Sequence, residues 1–287
     1  MITLRQSEIL AILTDLDPWL TKLGITPSRT RIHRAIEVVR EAEEGRKKFR
    51  ETGQPTKIGN VNDFYFGMVE ALEFFDIFRA FEHERPEVLA PKLDRILSGP
   101  FRPAEETEKN SAPRNTMFEL ALAADLRLRG ADVAIGEPDI SLNIDGQRFL
   151  AECKRPFRED SIRANVRGAA AQLARHLEDE IRAAGIIAVS VSRISNPGTK
   201  LFLAPSEEAK ERLGDQLETM MREEEESWTK YDLHPRVTAV LFHVRTPGVV
   251  RDRDQLTMMS YAAVMSTGKA KEAFEVLRER LKPLLSY

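Results

Sequence analysis

Cysteine is almost missing from this chain: Cys153 stands alone among 287 residues. A single thiol excludes an intramolecular disulfide and a cysteine-built zinc cluster within one chain. A surplus of either charge is missing as well. Lys and Arg number 43 against 46 Asp and Glu, a formal net charge of -3 with a pI near 6.1. That balance excludes a uniformly basic coat, so any nucleic-acid site has to be a local patch. No apolar run approaches the length needed to cross a bilayer. The opening segment is interrupted by Gln6, Ser7, Glu8, Asp15 and Asp17 and so lacks the apolar core of a secretory signal. Repeats and low-complexity tracts are lacking too. These absences predict a soluble, cytoplasmic protein with no membrane partner.

What is there reads as globular. With 42% hydrophobic and 31% charged residues, the chain suits one large domain or two of ordinary size. Residues 1–97 read as a helical N-terminal domain. Leu4, Ile9, Leu10, Leu13 and Leu16 recur at helical spacing, a charged helix is predicted from Ser28 to Arg50, and a third from Asn62 to Glu84. The third carries Phe64, Phe66, Phe74, Phe75, Phe78 and Phe81, a stripe read as core packing. Residues 98–115, rich in Pro, Ser, Asn and charge, read as a linker or surface connection.

From 116 to 287 the text changes character. A helix ends at Gly130, where Asp125 and Arg129 are spaced as a surface pair, and three short strand-like pieces follow: ADVAIG, DISLNID and QRFLAECK. Asp145-Gly146 is a tight-turn signal that predicts a β-hairpin from the last two. Next come a helix over 161–184 and an apolar run, IIAVSV, with the β-branching of a buried strand. An acidic helix over 205–227, strands near Val237 and Tyr261 and a closing helix complete the reading. The order after the connection is α, β, β, β, α, β, an α/β class with an α+β mixed sheet.

Asp139 opens one arm of the predicted hairpin, and Glu152 lies near the end of the other. Antiparallel pairing brings these ends side by side. Strand alternation sets Glu152 and Lys154 on one face and Cys153 on the other. Two converging carboxylates hold a hard cation such as Mg²⁺ and leave positions open for water and a phosphate oxygen. A neighbouring lysine orients or deprotonates that water and stabilises growing phosphate charge. The backbone carbonyl of Cys153 is a further candidate ligand. The apolar segment around Glu152 implies a partly buried charge, which calls for a reason.

These residues carry a resemblance. Pro138-Asp139 and Glu152-Cys153-Lys154 match the two motif elements of the PD-(D/E)xK nucleases, and over residues 116–191 the chain resembles that superfamily, the restriction-endonuclease-like fold. The resemblance implies an αβββαβ core behind an all-helical N-terminal region. It implies a Mg²⁺-dependent enzyme, with Mn²⁺ able to substitute, that hydrolyses DNA internally. It adds Glu119 on the first core helix to the metal site. Gln172 matches a glutamine that recurs in some branches; His176 stands four residues on, where those branches have tyrosine.

Arg155, Arg158, Arg163, Arg167 and Arg175 face only Glu159 and Asp160 across the same stretch, and they are the candidate phosphate contacts. One reading from a different class stays open beside the enzyme, together with a partner for the N-terminal region. A catalytically silent module of this fold would bind nucleic acid or protein, and the helical N-terminal region would serve a homodimer or protein partner.

Overall fold

The computed structural model describes residues 15–54, 60–204, 206–250 and 255–285. The apolar pattern begun at Leu4 lies outside the described residues as far as position 14. Helix α1 spans Leu16–Lys22, α2 Arg31–Thr52, α3 Val61–Phe81 and α4 Pro86–Leu97. Each start has a local cause. Thr30 accepts a hydrogen bond from the His33 N–H and caps α2, Asn60 does the same for the Asn62 N–H at α3, and Pro86 occupies the first turn of α4, where no N–H is needed.

The connecting stretch holds two 3₁₀ turns, Pro103–Glu105 and Glu108–Asn110, before α5 spans Ala112–Leu128. This helix starts four residues before the sequence reading places it, because Pro113 sits in its first turn. Strands β1 (Asp132–Ile135), β2 (Ile140–Ile144) and β3 (Gln147–Lys154) follow, then α6 (Ile162–Asp179) and β4 (Ala184–Ser190). The hairpin forms as expected: β2 and β3 are antiparallel, and Asp145 and Gly146 both take positive φ, 49° and 80°, as a two-residue turn requires. The helix predicted over 161–184 ends at Asp179, and its last residues instead lead into and open β4.

Beyond β4 lie β5 (Phe202–Ala204), α7 (Ser206–Glu224), β6 (Val237–Val250), β7 (Gln255–Ser266) and α8 (Lys271–Leu285). The seven strands make one mixed sheet. Its order is β1-β2-β3-β4-β6-β5, with β7 paired to the other edge of β6. β3, β4 and β6 are mutually parallel, and β7 runs antiparallel to β6 from Ala239↔Ser266 to Val250↔Gln255.

Two apolar layers cover the sheet. On one face Ala151, Cys153, Ile186, Ala188 and Leu241 share a cluster with Phe118 of α5, Phe74 and Phe81 of α3, and Leu277 of α8. On the other, Leu150, Ile187, Val189 and Phe242 meet Val166, Leu173 and Leu177 of α6 and Leu213 and Leu217 of α7. The N-terminal helices thus pack into the same core as one face of the sheet. Phe64, Phe74, Phe78 and Phe81 of the aromatic stripe lie within or against that core, as expected, whereas Phe75 is half-buried under Arg79 and Phe66 borders a cavity. Among the described residues no helix is long and apolar enough to cross a membrane.

Candidate metal and catalytic centre

The β2–β3 register sets Ile140 opposite Ala151, which brings Asp139 to the end of β3. There its Oδ2 accepts a hydrogen bond of 2.8 Å from the Cys153 N–H. Glu152 points to the α6 face, and its carboxylate is 2% exposed. Two side chains approach it. Lys154 Nζ lies 3.3 Å from Oε2, and His176 Nε2 on α6 lies 3.3 Å from Oε1. Cys153 points the other way into the α5-side core, where burial holds its thiol well above the usual range and Asp139, Glu119 and Glu152 add to the effect.

Burial, then the charge of Asp139, pushes the Glu152 carboxyl above the ordinary glutamate range, against the opposing pull of Lys154 and His176. Glu119 behaves alike. Burial and Asp139 raise its carboxyl, while Lys92 and Lys154 act the other way. Asp139 therefore disfavours ionisation of both Glu152 and Glu119 in a partly dry site, yet among the described residues neither Asp139 nor Glu119 joins a set of three ligand atoms within 4.8 Å of one another.

Sequence reasoning reads His176 as structural and passes over two neighbours of the candidate residues, Lys92 and Glu137. Lys92 of α4 reaches Glu119 at 3.2 Å, so the helical N-terminal region contributes to the site. Glu137 and His176 join Glu152 in a set whose ligand atoms all lie within 4.8 Å of one another. Glu137 is exposed and adjacent to the Pro-Asp element, and His176 stands four residues after Gln172, on one face of α6. That spacing was the available signal for His176; nothing in the local text marked Glu137 or Lys92. The donor set, two carboxylates and an imidazole, suits a divalent ion, and the imidazole favours transition ions over Mg²⁺.

The other candidates are dispersed. Gln172 is half-buried on α6. Arg163, Arg167 and Arg175 are exposed at four- and eight-residue intervals on that helix; Arg163 Nε sits 3.4 Å from Ser227 Oγ, and the Arg167 guanidinium lies 5.2 Å from the Tyr231 ring centre. Arg158 is exposed and pairs with Glu108 and Asp160. Arg155 differs from these: its guanidinium grips buried Glu106 with both Nη atoms, on the α5 side of the sheet. Asp125 also departs from its surface reading. It is 5% exposed and pairs with Arg245 of β6, so the charge is buried and satisfied from a distant strand.

No protein-family model matches the chain. Neither the curated proteins nor the solved structures include a significant match.

Proposed function

We propose that the protein is a metal-dependent nuclease of the PD-(D/E)xK type, with a restriction-endonuclease-like core formed by α5, β1, β2, β3, α6 and β4, that cleaves DNA internally. One observation carries this reading: Glu152 is buried at the end of β3 between Lys154 and His176, with Asp139 hydrogen-bonded to the next backbone N–H. A structural ion pair needs one partner. A carboxylate buried among further carboxylates, with a lysine and an imidazole beside it, has the makeup of a catalytic centre.

Asp139 and Glu152 would hold the ion, with Glu119, Glu137, His176 and the Cys153 carbonyl as further donors. A divalent cation at such a site polarises a phosphate oxygen and acidifies water. Lys154 Nζ donates to the attacked phosphate and takes part in moving the proton of the incoming water. Asp139, anchored on the Cys153 N–H, keeps its remaining oxygen directed along a fixed line. Exposed Arg163 and Arg167, one turn apart on α6, and Arg175 further along would contact the sugar-phosphate backbone, where contacts position without reading sequence. Gln172 lies on the same helix, suited to a base or phosphate contact near the ion. Magnesium, held by the carboxylates and water, is the proposed physiological ion, and manganese, which also accepts the His176 imidazole, a substitute.

The test is incubation of the full chain with supercoiled plasmid, linear duplex and single-stranded DNA in Mg²⁺, Mn²⁺ or EDTA. Nicking or linearisation of plasmid that EDTA abolishes supports the assignment. Absence of cleavage with every substrate and ion would leave the chain a silent binding module.

A further inference from the structure

The carboxyl ends of β3 and β4 and the middle of β6, from His243 to Pro247, border a cavity of about 90 Å³ on the α3 and α5 side of the sheet. In parallel α/β sheets the carboxyl ends are where ligands bind. Four guanidiniums line it in a chain that is net acidic: Arg114 of α5, Arg155 just after β3, Arg193 in the helical turn after β4, and Arg245 of β6. The carboxylates that pair with three of them, Glu70, Glu106 and Asp125, stand behind the lining. The lining carboxyl is Glu73, which burial makes reluctant to ionise despite Arg245. Arg245 also contacts Glu73 at 3.5 Å, so the lining guanidinium without a carboxylate ion pair among the described residues is Arg193.

Hydrogen-bonding capacity is left over as well. Among the described residues, buried Arg114 Nε has no hydrogen-bond partner, with Glu106 3.8 Å away, and neither has His243 Nδ1. His243 is almost fully buried, stacks on Phe118 and shares a 3.1 Å hydrogen bond between its Nε2 and Ser260 Oγ. Burial, then Arg245, keeps its imidazole neutral. In the tautomer in which Ser260 Oγ donates to Nε2, the unpartnered Nδ1 carries the ring's one N–H and can donate without adding charge. Arg155 commits two of its five donors to Glu106, and Arg193 spends its Nη atoms on the carbonyls of Pro103, Pro197 and Glu106. Burial holds the half-buried Arg193 guanidinium below its usual range; Glu106 opposes this, while Arg155 and Arg114 add to it, a repulsion that an anion would relieve.

We propose that this cavity binds a phosphate group, either orthophosphate or the phosphate of a nucleoside monophosphate, between Arg193, Arg155 and Arg114. A compact dianion with several acceptor oxygens matches clustered guanidinium forks better than a single carboxylate does. Ser190 and His243 supply neutral contacts deeper in. The space, several water volumes, admits orthophosphate whole and leaves a nucleoside projecting past half-buried Arg193. The site is on the opposite face of the sheet from Glu152 and does not rest on the nuclease reading.

The test uses the full chain in EDTA at constant ionic strength, titrated with sodium phosphate, adenosine monophosphate or chloride. Thermal unfolding and amide hydrogen exchange are the readouts. Saturable stabilisation by phosphate beyond chloride, with slowed exchange over residues 190–198 in the wild type, is expected. A tighter midpoint for the nucleotide assigns it as the source; equal midpoints assign phosphate alone. R193K, which keeps the charge and loses the fork, should weaken the midpoint at least about tenfold. A121L, which fills the cavity from α5 without touching an arginine, should abolish the shift. A wild type no more stabilised by phosphate than by chloride, or protection that appears elsewhere and not at 190–198, overturns the proposal. So do folded variants with wild-type midpoints.

Discussion

His176 Nε2 lies 3.3 Å from Glu152 Oε1, so helix α6 delivers an imidazole to the carboxylate that the β2–β3 hairpin delivers from the sheet. This contact joins two elements across an otherwise apolar interface, and it shapes what the site can bind. If the imidazole contributes to metal binding, His176→Ala should weaken Mn²⁺ or Co²⁺ binding at least about tenfold and Mg²⁺ binding much less, because imidazole suits transition ions and Mg²⁺ prefers oxygen. Calorimetric titration of both proteins with each ion checks this. Equal losses for all ions would assign His176 a packing role.

Lys154→Ala leaves every proposed ligand in place. Metal affinity should persist while turnover falls by roughly 10²- to 10⁴-fold, the range for losing a positioned acid-base or electrostatic group. Cys153→Ser is the matching control, since the backbone carbonyl and the N–H to Asp139 are retained. Cleavage should stay near wild type, with a stability loss of about 1–2 kcal/mol from placing a hydroxyl in the α5-side core. Single-turnover rates and chemical denaturation separate the two effects.

Arg155 and Arg163 should divide sharply. Arg155→Ala strips buried Glu106 of its bidentate partner and should cost about 3–5 kcal/mol of stability. Arg163→Ala, at an exposed position, should change stability by less than about 0.5 kcal/mol and lower DNA affinity with a reduced salt dependence. Denaturation curves and binding at two salt concentrations check both.

Asp76 of α3 is 3% exposed, and burial pushes its carboxyl from 3.8 up to about 6, against the pull of Arg245. The sign follows from proton binding. Between the two values the folded state holds the proton more tightly, so stability falls as pH rises through about 6 and is recovered on acidification toward 4. Asp76→Asn should therefore stabilise the protein by up to about 2–3 kcal/mol at pH 8, and that gain should vanish near pH 4. Unfolding midpoints of both proteins across this range give the answer; a gain independent of pH would remove the titration argument.

Local signals in the text carried the hairpin and the order of α5 to β4, because Asp145-Gly146, the β-branched run after Gly185 and strand alternation are short-range features. Glu152 read as a buried charge for the same reason: its neighbours Leu150, Ala151 and Cys153 are apolar. Other features depend on partners far along the chain. Asp125 meets Arg245 120 positions away, and Arg114 meets Glu70 44 positions away, distances over which spacing says nothing. The Pro-rich stretch before α5 read as a connection, yet it buries Glu106 at 3% exposure and carries the carbonyls that bind Arg193. β5, three residues long and paired only with the last residues of β6, left too short a pattern to read.

The account turns on Asp139 and Glu152 acting together on a phosphodiester bond. Its most direct test is the rate of plasmid nicking by the wild type, Asp139→Asn and Glu152→Gln in Mg²⁺, with folding of all three verified by circular dichroism. The account predicts EDTA-sensitive nicking by the wild type and a loss of at least about 10³-fold in each variant, as for removal of an electrostatic element of a catalytic centre. Wild-type rates in either folded variant, or no nicking by the wild type, would contradict it.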